Sequence, residues 1–137
     1  MSALPITQGG EIQVIDAEGE FRNLSVPPAG SDTVVTLDLT SGAGKLSNPK
    51  QIQFSNLPSA ATIRLESSRK SGNWPLWWMN IKTTHQLSFL GKEDIDYIIN
   101  SYSINSFITE GLGCLIIDKG GRLNEGKLGY VKVKVSA

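Results

Sequence analysis

Three tryptophans fall within five positions, Trp74, Trp77 and Trp78. Arg64, Arg69 and Lys70 precede them and Lys82 follows. An indole beside cations can stack on a sugar ring or sit at a membrane interface, because it is a flat apolar ring with one polar N–H. It can also anchor a protein partner. Strand alternation puts Trp77, Met79 and Ile81 on one face and Leu76, Trp78 and Asn80 on the other. The candidate binding residues are therefore Arg64, Arg69, Lys70, Trp74, Trp78 and Lys82. Trp74 and Trp78 would stack or insert, and Arg69 and Lys70 would contact anionic headgroups or ligand oxygens. Arg64 and Lys82 would supply flanking charge. The competing expectation buries all three indoles against a second sheet or the helix.

Other residue types offer less. The chain has one histidine, His85, and one cysteine, Cys114. No Gly-x-Ser-x-Gly elbow is present to pair a nucleophile with that histidine. Cys114 lies in the apolar run Leu112–Ile117, which predicts a buried, inert thiol. One histidine and one cysteine cannot build an ordinary zinc centre. Asp16, Glu18 and Glu20, or Glu93, Asp94 and Asp96, could offer oxygens to calcium, but neither group has EF-hand spacing. The former reads as a solvated turn and the latter as a helix start. Ser41-Gly42-Ala43-Gly44-Lys45 lacks the spacing of a phosphate loop and reads as a turn. The expectation is a protein without catalytic residues, metal or cofactor.

Charge and composition narrow the classes. Thirteen basic and thirteen acidic residues cancel, which does not suit a nucleic-acid binder. The charge is uneven along the chain. Residues 64–92 carry five bases and one acid, and residues 93–118 carry five acids and no base. No apolar run approaches the 18 or so residues of a membrane-spanning helix. Residues 1–5 lack a basic and apolar leader, so synthesis in the cytoplasm is expected, with later export or assembly left open. A single cysteine allows no intrachain disulfide.

The elements that must position these residues are strands. Alternating or apolar runs recur at Glu11–Asp16, Phe21–Val26, Thr33–Thr40, Ile52–Phe54, Ala61–Glu66, Trp74–Lys82, Leu87–Phe89, Leu112–Ile117 and Gly129–Val135. Leu112–Ile117 reads as a central strand buried on both faces. The last run, with outward Tyr130, Lys132 and Lys134, reads as an edge strand guarded by lysines. Ile95, Ile98 and Ile99 have helical spacing, predicting one short helix within residues 92–105. About eight strands at this spacing predict a single all-β domain over residues 1–137, an antiparallel β-sandwich of jelly-roll or related form, with a barrel as alternative.

Gly30-Ser31-Asp32 leads into the strand Thr33–Leu37. Further on come Ile63-Arg64-Leu65, the polar loop Ser71-Gly72-Asn73 and the strand Trp77–Thr83. Over residues 30–83 this order resembles PLAT/LH2 domains, the β-sandwich modules of lipoxygenases and some lipases. Glu66-Ser67-Ser68 departs from the family pattern. The resemblance implies a non-catalytic module that positions its partner at a lipid surface. Together these features predict a binding module that engages a membrane surface, a glycan or a protein partner. The alternatives are an assembly subunit of a phage, capsid-like or toxin complex, with homo-oligomers, and a small hydrolase using an acid pair.

Overall fold

The computed structural model describes residues 10–122 and 125–136. The stretch at residues 1–5 lies outside them. Among the described residues there are twelve strands and one α-helix. In chain order the strands are β1 (Gly10–Asp16), β2 (Phe21–Val26), β3 (Thr33–Asp38), β4 (Pro49–Leu57), β5 (Ala61–Ser67), β6 (Lys70–Ser71), β7 (Trp74–Pro75), β8 (Trp77–Thr83) and β9 (Ser88–Asp94). After the helix α1 (Ile95–Ser101) come β10 (Gly111–Leu112), β11 (Cys114–Gly121) and β12 (Leu128–Val135).

Ten strands form two antiparallel sheets. The first has the order β10-β9-β4-β1-β2 and the second β11-β8-β5-β12-β3, while β6 and β7 make a small separate hairpin. The protein is an all-β sandwich. Period-two alternation builds it, because each strand has one apolar face and the two sheets can hide those faces only against each other. Ile12, Val14, Ile52, Phe54 and Leu90 come from the first sheet. Ile63, Leu65, Trp77, Met79, Ile81, Val131 and Val133 come from the second, and all of these are buried. Each such side chain contributes roughly 1.5–3 kcal/mol by leaving water. Ile95, Ile98 and Ile99 join this core from α1.

Several sequence expectations change. The strands number more than eight, because Trp74–Lys82 divides into β7 and β8, Leu112–Ile117 divides between β10 and β11, and the short strand β6 is added. The short helix falls within residues 92–105 as expected, as α1 (Ile95–Ser101), and begins only there because β9 continues through Asp94. The run Leu112–Ile117 is not one central strand. Gly113, at φ +74°, turns the chain so that Leu112 pairs in the first sheet and Cys114 onward lies at the edge of the second. β12 is not an edge strand, because β3 and β5 flank it on either side. Its lysines therefore line a sheet face instead of guarding an edge.

Candidate binding face

The outer face of the second sheet carries three cross-strand rows. Strand pairing aligns Leu115, Lys82, Thr62, Lys134 and Val34 in the first row. Asp118, Asn80, Arg64, Lys132 and Thr36 form the second. Gly120, Trp78, Glu66, Tyr130 and Asp38 form the third. Paired residues share a face, so all these side chains point away from the core. With strands about 4.8 Å apart and rows about 6.8 Å apart, the face measures about 19 Å by 14 Å.

The middle of this face is an electrostatic network. Arg64 and Lys132 are directly paired on neighbouring strands, where like charges repel. Glu66, one row further along β5, offsets that repulsion. Its Oε2 accepts the Arg64 Nε–H at 2.6 Å and its Oε1 lies 3.1 Å from Lys132 Nζ. Burial alone would raise the Glu66 carboxyl. The hydrogen bonds and charges of Arg64 and Lys132 outweigh it and hold the group below the ordinary carboxylate value. Arg64 Nη1 also donates to Asn80 Oδ1 at 3.3 Å.

Two aromatic rings lie beside these cations. The Arg64 guanidinium sits 5.9 Å from the centroid of the Trp78 ring. Lys70 and Lys132 lie 4.6 and 5.7 Å from that of Tyr130. Such contacts are worth about 0.5–1 kcal/mol at exposed sites. The Trp78 indole lies across Gly120. A Cβ built there would fall 2.6 Å from Trp78 Cζ2 and 2.9 Å from Cη2, so only glycine leaves room for the ring. Trp78 Nε1–H donates to Asp118 Oδ2 at 3.2 Å, which fixes the ring's orientation.

A cavity of about 320 Å³ opens over the short side chain of Thr62, walled by Val34, Arg64, Asn80, Lys132 and Lys134. Arg64 and Lys132 are already paired with Glu66. Among the described residues, Lys82 and Lys134 have no carboxylate within salt-bridge distance.

Of the six sequence-predicted residues, Arg64, Trp78 and Lys82 share this face, and Lys70 reaches it over Tyr130. Arg69 and Trp74 do not join them. Arg69 is exposed near the base of the hairpin, its aliphatic stem close against Gly126. Trp74 is 75% exposed and pairs with Ser71, so it shares the hairpin side opposite Lys70 and Pro75. The buried Ser67 hydroxyl ties the hairpin down, donating to the Arg69 carbonyl at 2.7 Å and accepting the Leu76 N–H at 2.8 Å. Trp77 is core, as the alternation predicted, and its Nε1–H donates to the Gly126 carbonyl at 2.9 Å. Thr62, Glu66, Asn80, Tyr130, Lys132 and Lys134 escaped the sequence reading as site residues. The outward alternation of the last three was visible, but their pairing against Arg64 and Glu66 was not.

The other chemical candidates have local roles. Asp16 is buried and accepts the Asn48 N–H at 2.6 Å, and Glu20 lies 3.8 Å from Arg22. His85 Nδ1 lies 2.9 Å from the Thr84 hydroxyl in the turn before β9. Among the described residues no group of three or more His, Cys, Asp or Glu side chains is placed to hold a metal ion. Tyr102 donates to Glu110 Oε2 at 2.6 Å, and the Tyr102 and Thr109 hydroxyls lower the Glu110 carboxyl. Glu93 is pushed the other way, by desolvation and then by the charges of Glu110 and Asp94. None of these residues lines the cavity over Thr62.

Compared with protein-family models, curated proteins and solved structures, the chain matches none of them.

Proposed function

We propose that this protein is a non-catalytic binding module that lays the outer face of its second sheet against an acidic glycan. The observation that carries this reading is the Trp78 indole lying across Gly120, in the same face as Lys82 and Lys134. A flat-lying ring offers a stacking platform for a sugar. Two lysines with no carboxylate partner among the described residues, two rows away, offer contacts to carboxylate or sulfate groups. Glu66 supports the arrangement by holding Arg64 and Lys132 in place before any ligand arrives, which lowers the ordering cost of binding.

Calorimetric titration with a sulfated or uronate-containing oligosaccharide and with its neutral counterpart tests this. The acidic ligand should bind and the neutral one should bind at least about tenfold more weakly. Trp78→Ala should abolish the interaction, and Lys82→Ala with Lys134→Ala should weaken it and flatten its salt dependence. Unchanged affinity in these variants, or equal affinity for the neutral sugar, would remove the proposal.

A second reading has its own observation. Trp74 protrudes from the β6–β7 hairpin, with Arg69 exposed near its base, the arrangement of an interfacial anchor. The resemblance of residues 30–83 to PLAT/LH2 domains points the same way. In that case anionic liposomes should be bound, and Trp74→Ala, not Trp78→Ala, should release the protein.

A further inference from the structure

We propose that a second cavity, at the end of the sandwich beyond β3 and before β12, binds a small organic anion with a short apolar tail. The cavity measures about 340 Å³, at the small end of the range for pockets that hold organic ligands. Its floor is Leu39, Leu46 and Leu128, which suits an apolar tail. Lys45 and Lys127 line it, and among the described residues no carboxylate does. An apolar floor under two cations selects an amphipathic anion over either an inorganic ion or a neutral hydrocarbon. The Thr40 hydroxyl is already committed to Asp38, at 2.5 Å. The Ser47 and Ser68 side chains remain beside the lysines as further polar contacts.

The walls are held in place without a ligand. Arg22 clamps the loop between β3 and β4, donating from Nε to the Ala43 carbonyl at 3.0 Å and from Nη2 to the Lys45 carbonyl at 2.9 Å. Lys127 Nζ donates to the Ser47 carbonyl, which uses one of its three protons and joins the two sides of the mouth. The Leu46 N–H donates to the Leu39 carbonyl at 3.0 Å, and the Ser68 N–H to the Lys127 carbonyl at 2.7 Å. Gly44 lets the loop fold onto β3, where a Cβ would lie 2.5 Å from the Asp38 carbonyl oxygen. A pocket fixed this way binds with little reorganisation.

The test is a two-dimensional amide NMR titration with octanoate, with inorganic phosphate and octyl glucoside as comparisons. Octanoate should move the amides of Leu39, Leu46, Ser68 and Leu128 saturably. Lys45→Glu, at an exposed position, should weaken binding at least about tenfold, since one charge-assisted contact is replaced by a repulsive one. Lys127→Met, which keeps the apolar stem, should also weaken it. Trp78→Ala should leave octanoate binding unchanged, which separates this site from the sheet face. No saturable shift, phosphate or octyl glucoside binding as tightly as octanoate, or undiminished binding in both lysine variants would overturn the proposal.

Discussion

Neutralising Glu66 would leave Arg64 and Lys132 facing each other on adjacent strands with nothing between them. Glu66→Gln should therefore cost about 1–3 kcal/mol, measured as a lower urea midpoint at pH 7. The pH dependence follows from the lowered Glu66 carboxyl. A group lowered in the folded state contributes stability above its unfolded value, and that contribution is lost as pH falls through the folded one. Wild type should lose midpoint in acid, and the glutamine variant should lose less of it. Cys114 shifts the other way. Burial pushes its thiol up to about 12, so the native protein should resist thiol reagents at pH 8 and react only on unfolding. The sequence already placed this cysteine in an apolar run. It could not place Glu66, because nothing in Arg64-Leu65-Glu66 says which residue lies opposite on β12.

Alternation is local, and the strands that show it most clearly are the ones whose faces were legible. Trp77, Met79 and Ile81 point inward and Trp78 points outward, as their spacing dictates. What was not local was misjudged. Leu112–Ile117 divides between the two sheets at Gly113, because that residue's positive φ reverses the chain at a cost other residues would pay. The lysines of β12 look like edge protection until β3 is found beside them. Close approach between strands also rests on glycines whose neighbours are distant in sequence. A Cβ on Gly129 would lie 2.4 Å from Ser68 Cα, a backbone atom that cannot yield alone. Gly129→Ala should separate the ends of β12 and β5 and cost about 1–3 kcal/mol, checked by chemical denaturation. Gly120→Ala meets the Trp78 ring first, a side chain and not a backbone atom. It should tilt the indole off the sheet, red-shift its emission and weaken binding of the acidic glycan, with a smaller loss of stability.

The molecule as a whole has one apolar core shared by both sheets, with Trp77 inside it. Thermal unfolding followed by tryptophan emission and by far-ultraviolet circular dichroism should therefore give coincident transitions. Neighbouring strands such as β11 and β8, or β12 and β3, are far apart in the chain. Folding should take milliseconds to seconds in stopped-flow measurements, because loop-closure entropy is lost before those pairings form. The amino-acid sequence by itself determined an all-β domain, an inward Trp77, a Trp78 on the opposite strand face and a buried cysteine, since each depends on patterning within a few residues, while the choice of a sandwich over a barrel came from the pairing of the strands into two sheets. The tertiary structure alone decided that Arg64, Lys132 and Glu66 form one network, that Trp78 lies on Gly120, and that Trp74 stands apart from both. Those outcomes depend on which strands pair and in what register, and register is set by the burial of all the apolar faces together.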